Sequence, residues 1–170
     1  PSANRYGRIS PTSANDVYEE LNSKISIILD GGPSLIGLES TVIDLTKNDT
    51  KIIRYGGLSK QELNEIIPIN NNNKKIKILI SPGLSSSHYQ PATSMRINAV
   101  RPKKNEAWLA FGAIPKHYKG IAISLSEKKC LKETAKNLYK MLRYLDKKKC
   151  EKIAVQKIPE LGLGIAINDR

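Results

Sequence analysis

Cysteine and aromatic residues are scarce in this sequence. Two Cys, one Trp and one Phe occur among 170 residues, and aromatics make up 5% of the chain. Cys130 and Cys150 lie in a long Lys-rich segment without further metal-ligand partners, which argues against a disulfide scaffold and for a reduced, cytoplasmic protein. With so few rings the core must be aliphatic, and Ile, Leu and Val are plentiful enough to build one. No stretch approaches the roughly 20 apolar residues that a membrane span needs. The two His and two Cys are scattered, so no metal site held wholly by this chain is expected. Missing too are a Gly-x-x-x-x-Gly-Lys-Ser/Thr loop, a Gly-x-Gly-x-x-Gly after a strand, a His-Glu-x-x-His helix and a convincingly spaced Ser/His/Asp set.

What is present in excess is positive charge, and it is uneven. The net charge is +12, made of −2 over residues 1–68 and +14 over residues 69–170. A basic half attracts nucleic acid or other polyanions, but lysines scattered on helix faces also serve solubility.

The chain opens at Pro1-Ser2-Ala3-Asn4-Arg5 without an initiator Met. The Ser/Asn/Arg/Gly-rich stretch Ser2–Ser10 reads as an active-site loop, which should follow a buried strand; that strand is expected upstream. After Pro11, Val17, Tyr18 and Leu21 predict a short amphipathic helix within Thr12–Asn22. The apolar run Ile25–Leu29 predicts a strand that stops at the turn Asp30-Gly31-Gly32-Pro33. Ser40–Leu45 and Lys51–Tyr55 predict two strands joined by a hairpin turn. Ser59 and Glu62 form a Ser-x-x-Glu capping box that should start a helix running to about Ile67.

Asn70–Lys75 is a low-complexity break, and Ser81–Pro91 reads as an extended, ordered linker. The second globular piece begins near Arg96. Glu106–Phe111, Gly120–Leu125 and Lys152–Ile158 predict strands. Leu131, Ala135, Leu138, Tyr139, Leu142 and Leu145 share one face of a long helix, opposite Lys132, Lys136 and Lys140. A helix should start after Gly162 and Gly164. Strand, helix and strand point to a parallel α/β unit after a mixed α+β first part.

Four constellations carry candidate chemistry. Ser2, Asn4, Arg5, Arg8 and Ser10 suit phosphate and ribose, since short side chains let the backbone approach and Arg supplies forked donors; from the residues alone a turn with caps is the commoner explanation. Ser40 and Thr41 enter a strand as adjacent hydroxyls that suit a carboxylate or amine, or simply a Thr-rich strand edge. Arg54 ends an apolar strand before Gly56 and Gly57, a place for an anion contact or a solvated edge residue. His88 and Tyr89 lie between prolines in the linker, where they would close over a site or merely pack.

In this order the motifs resemble the threonylcarbamoyl-AMP synthases, in the two-domain form with a YrdC-like catalytic domain. Ser2-Ala3-Asn4 with Ser10-Pro11-Thr12 is similar to that family's Ser-x-Asn loop. Leu29-Asp30-Gly31-Gly32, Glu39-Ser40-Thr41-Val42-Ile43-Asp44 and Ile53-Arg54-x-Gly56 follow. Ser81-Pro82-Gly83 through His88-Tyr89-x-Pro91 looks like its linker. Leu142-Arg143-x-Leu145-Asp146 and Gly162-Leu163-Gly164-x-Ala166-Ile167-Asn168-Asp169-Arg170 look like its C-terminal domain.

The resemblance implies a partial YrdC-like twisted-sheet catalytic domain at 1–68, a linker covering the active site at 69–95 and a Rossmann-like α/β domain at 96–170. It implies that ATP, L-threonine and bicarbonate become threonylcarbamoyl-adenylate and pyrophosphate, for modification of tRNA by a partner. Ser2, Asn4, Ser10, Arg54, His88 and Tyr89 would then serve ATP, and Ser40 and Thr41 would serve threonine, with Mg²⁺ carried by the nucleotide. The family's upstream Lys-x-Arg half has no counterpart here, so the chain is expected to be a fragment that is inactive alone, its other half being a possible separate chain. A non-catalytic basic RNA-binding module and a degenerate remnant are the readings of other classes.

Overall fold

The computed structural model describes residues 3–22, 24–46, 49–69, 90–148 and 150–170. Helix α1 spans Ala14–Leu21, where the Ser13 hydroxyl caps the Asp16 amide and Asp16 returns the bond to Ser13. This satisfies amide groups that a helix start otherwise leaves open. Strands β1 (Val42–Asp44) and β2 (Lys51–Arg54) pair antiparallel, with Val42 opposite Arg54, as the hairpin pattern predicts. Helix α2 covers Lys60–Asn64 behind the expected Ser59–Glu62 capping box. It stops short of Ile67 because Pro68 cannot continue a helix; the Asn64 side chain instead accepts from the Ile69 amide at 2.9 Å.

Residues 90–170 build a four-stranded, all-parallel sheet. β3 (Met95–Ala99), β4 (Glu106–Ala110), β5 (Ala122–Ser124) and β6 (Lys152–Gln156) stand in the order β3-β6-β4-β5. Helix α3 (Leu131–Asp146) connects β5 to β6, and α4 (Leu163–Asn168) packs on α3. The chain is thus a mixed α/β protein. Arg96 on the edge strand β3 reaches across β6 to Glu106 on β4 at 2.5 Å, and that hydrogen bond holds the Glu106 carboxyl down at about 2.

The apolar face of α3 is the centre of the core. Ala135, Leu138, Tyr139, Leu142 and Leu145 are all buried, against Leu109 of β4, Ile153 of β6 and Ile167 of α4. Ile9, from the N-terminal loop, belongs to the same cluster at 3% exposure. Leu145→Ala is expected to cost about 2–5 kcal/mol, since the site is fully buried and cannot collapse freely. A urea unfolding midpoint that barely moves would contradict this packing.

Two sequence expectations need correction. Ile25–Leu29 is not a strand: among the described residues it pairs with no other segment, and Ile27 and Leu29 are 78% and 92% exposed. A period and an apolar run specify a strand only where another strand offers its backbone groups. The turn that follows does form, with the Gly32 amide donating to Asp30 at 2.8 Å. In the other direction, β3 begins at Met95, the last residue of the expected linker, and runs through Arg96–Ala99, the start of the second piece, where no strand is expected. Its pattern is broken by Arg96 and Asn98, and a bulge with Asn98 at φ 56° interrupts its pairing. The expected loop at Asn70–Lys75 and the linker up to Tyr89 lie outside the described residues.

Candidate functional site

A cleft of about 880 Å³ opens between the loop at 3–14, the segment around Ile28–Ser34, the turn at Gly37–Ser40, Arg54 and Tyr139. Local chemistry shapes each wall. Asn4 donates from Nδ2 to the carbonyls of Arg5 (3.0 Å) and Arg8 (3.1 Å), which curls the loop around Gly7. Gly37 sits at φ 79°, and a Cβ there would lie 2.6 Å from the backbone of Ala135 and Lys136, so only glycine lets this turn rest on α3.

Arg54 closes the far wall. It donates to the Ser40 carbonyl from Nε (3.2 Å) and Nη2 (3.0 Å), and Nη2 also reaches the Ser40 hydroxyl at 3.3 Å. The pairing of β1 with β2 sets this contact, because Arg54 lies opposite Val42, two residues beyond Ser40.

Beneath the cleft is a buried ionic hub. The Glu39 carboxylate accepts from Ser10 Oγ (2.6 Å), the Tyr139 hydroxyl (3.0 and 2.9 Å) and Arg170 Nε (2.7 Å). The Arg170 side chain is only 2% exposed and also donates to the Tyr55 carbonyl at 2.8 Å. Burial pushes the Glu39 carboxyl up, but the Ser10 hydroxyl and the Arg170 guanidinium outweigh it and hold it below the usual carboxylate range.

A second tie runs from α3 to the loop. Arg143 donates to the Ile9 carbonyl and pairs with Glu20 at 3.4 Å, and Arg5 meets the same carboxylate at 3.2 Å. Burial opposes the charge of Glu20 and of Asp146 as well. The arginines win at Glu20, and the amides of Ala92 (2.9 Å) and Thr93 (2.6 Å) win at Asp146. Those amides stand just beyond Gln90, whose own amide donates to the Gly7 carbonyl at 3.0 Å. The chain arriving from the linker is therefore fixed against the loop that lines the cleft.

Of the residues singled out from sequence, Asn4, Ser10, Ser40 and Arg54 converge on this cleft. Thr41 does not line it: its hydroxyl donates to the Leu58 carbonyl at 2.6 Å and accepts from the Leu58 amide at 3.2 Å. Ser2, His88 and Tyr89 lie outside the described residues. Sequence reasoning missed the roles of Glu39, Tyr139, Arg143 and Arg170. The available signals were a Tyr in the middle of an aliphatic helix face and an acid immediately before Ser40.

Residues 58–170 match the family model for the C-terminal domain of threonylcarbamoyl-AMP synthase. The chain belongs to that family. Residues 1–56 match a second model, described as telomere recombination. The threonylcarbamoyl-AMP synthase of Pyrococcus abyssi is 33% identical over 187 residues, an alignment that takes in 100% of this chain and 55% of that protein. The Bacillus subtilis synthase is 32% identical and shares 100% of this chain and 54% of its own. Among solved structures, P. abyssi Sua5 complexed with L-threonine has a TM-score of 0.83 at 32% identity, covering 99% of this chain and 55% of that one. A P. abyssi Sua5 form with a consecutive His-Tyr pair changed to alanines gives 0.79 at 29% identity, over 100% of this chain and 54% of that one. The chain spans about half the length of the curated relatives it matches.

Among the described residues, no group of three or more His, Cys, Asp or Glu side chains is placed to hold a metal ion. No helix among them is long and apolar enough to cross a membrane.

Proposed function

We propose that the cleft is the nucleotide and threonine site of a threonylcarbamoyl-adenylate synthase acting in the cytoplasm. Its substrates are ATP, L-threonine and bicarbonate, and its products are threonylcarbamoyl-AMP and pyrophosphate. A partner then uses the adenylate to modify an adenosine of tRNA. The observation that carries this reading is the convergence of Asn4, Ser10, Ser40 and Arg54, from three separate segments, on one cleft in a chain of this family.

The chemistry asks for what these residues offer. Threonine's amine and bicarbonate give a carbamate with loss of water. A carbamate oxygen then bonds to the α-phosphorus of ATP while the bond to the pyrophosphate oxygen breaks. Negative charge builds on the α-phosphoryl oxygens, where Arg54 supplies a forked cation. Ser40, one bond from Arg54, would hold threonine, with Thr41 acting through the backbone of Leu58 rather than by touch. Ser2, His88 and Tyr89 complete the ATP set, and the fixed exit of the linker at Gln90 suits a cover that keeps water from the mixed anhydride. Mg²⁺ would ride on the phosphates: Glu39, the one carboxylate that lines the cleft among the described residues, is committed to Ser10, Tyr139 and Arg170.

The same reading divides the chain into a catalytic part at 1–68, a linker at 69–95 and a Rossmann-like part at 96–170. It also assigns an occupant to the exposed apolar edge at Ile27, Leu29 and Leu35, which are 78%, 92% and 83% exposed beside the cleft. The polypeptide carrying the family's Lys-x-Arg pair would cover this edge and complete the phosphate site.

Arg54→Ala is the direct check. Calorimetric titration with Mg-ATP should show at least about tenfold weaker binding than the unsubstituted chain, the scale of a lost charged hydrogen bond. Equal affinity would remove Arg54 from the nucleotide site.

A further inference from the structure

Glu39 joins segments that are 29, 100 and 131 residues away, through Ser10, Tyr139 and Arg170. An ionised carboxylate only accepts, so the direction of each of these hydrogen bonds is fixed. The consequence at Ser10 is specific. A hydroxyl has one proton, and that of Ser10 goes to Glu39 Oε1 at 2.6 Å. What Ser10 has left for the cleft it lines is the lone-pair side of its oxygen.

Asn4, on the same wall, has no donor to spare either. Its Nδ2 protons go to the carbonyls of Arg5 and Arg8, while its Oδ1 is buried without a hydrogen-bond partner. The Asn4 side chain, its Oδ1 closed off from the cleft, leaves a ligand nothing to bind, and what this wall presents is the acceptor side of the Ser10 oxygen. A phosphate oxygen placed here would meet lone pairs with lone pairs; a hydroxyl or N–H would be bound.

We propose that Glu39 is a positioning residue that takes the Ser10 proton, so that Ser10 binds a hydroxyl or N–H donor of the nucleoside part of a nucleotide and not its phosphates. The inference rests on the reading of the cleft as a nucleotide site and sharpens it: phosphates belong to the Arg54 wall, and ribose or base to the Ser10 wall. Tyr139 and Arg170 hold the carboxylate that fixes the direction, which gives residues 96–170 a part in ligand recognition without touching the ligand.

Two measurements on the chain of residues 1–170 test it. The first needs no ligand. Carboxyl ¹³C NMR should show the Glu39 titration moving upward in Ser10→Ala and returning in Ser10→Thr, which keeps the hydroxyl. An unchanged titration in Ser10→Ala overturns the proposal. The second compares ATP, its 2′-deoxy and 3′-deoxy forms, inosine triphosphate and inorganic tripolyphosphate by calorimetry. Ser10→Ala should weaken ATP roughly two- to tenfold and leave tripolyphosphate unaltered. At least one analogue lacking a donor should lose the same factor on the unsubstituted chain and nothing further on Ser10→Ala. Equal weakening of ATP and tripolyphosphate overturns the assignment. Absence of binding by every nucleotide would instead sink the nucleotide reading, while the titration still decides whether Glu39 takes the Ser10 proton.

Discussion

Arg170→Ala should be among the most damaging single changes in this chain, with an expected loss of about 3–5 kcal/mol in unfolding free energy. The side chain is 2% exposed and donates to Glu39 at 2.7 Å and to the Tyr55 carbonyl at 2.8 Å. Truncation leaves a carboxylate and a carbonyl short of their cation, and a buried charge without its counter-ion costs more than the pair contributes. The effect also has a sign in pH. In the intact chain the Glu39 carboxyl lies below its ordinary 4.5, so its contribution is present above that value and disappears as pH falls through the acid range. Without Arg170 the opposing influence of burial gains weight, and the variant should lose less than the parent on acidification. Urea unfolding of both proteins between neutral pH and pH 4 reads the two effects together. A loss under about 1 kcal/mol with an unaltered pH slope would show that the hub is not a structural keystone.

Gly56→Val should damage the site more than its loss of stability alone would suggest. A Cβ at Gly56 would lie 2.3 Å from the Glu39 carbonyl, 2.4 Å from the Ser40 carbonyl carbon and 2.5 Å from the Thr41 amide nitrogen. All three are backbone atoms, so no side chain can swing aside, and the end of β2 must part from residues 39–41. The bond from the Gly57 amide to the Glu39 carbonyl, 2.9 Å long, would go with it. Overpacking of this kind costs about 3 kcal/mol. Ser40, Arg54 and the Glu39 hub all hang on that contact. Mg-ATP affinity should therefore fall at least tenfold more in Gly56→Val than in Leu145→Ala at matched fraction folded. Equal affinity in the two variants would detach the cleft from the packing of β1 against β2.

The legible parts of the fold were those whose signal is local. Helix α3 announces itself through an aliphatic face that proves buried, and α2 through Ser59 and Glu62, whose reciprocal bonds need only three residues of chain. The β1–β2 hairpin is local in the same sense. Ile25–Leu29 carries an equally clear strand pattern and finds no partner among the described residues, because pairing is a property of two segments. β3 hides for the opposite reason: its pairing with β6, more than 50 residues on, tolerates a bulge that spoils its pattern.

The site divides along the same line. Asn4, Ser10, Ser40 and Arg54 are short-range features of turns and strand ends, and they converge. Glu39 looks like one more acid before a strand until Tyr139 and Arg170 arrive from 100 and 131 residues away. Nothing in the sequence near Glu39 announces those partners.

The most direct test of the synthase reading is pyrophosphate release from ATP that requires both L-threonine and bicarbonate. It should be measured with this chain alone and mixed with the polypeptide carrying the family's Lys-x-Arg half. Release in the mixture and not from the chain alone is the expected result. Release by the chain alone would mean that the Lys-x-Arg pair is dispensable and the cleft is wrongly completed; silence from a mixture of folded chains would contradict the proposed activity.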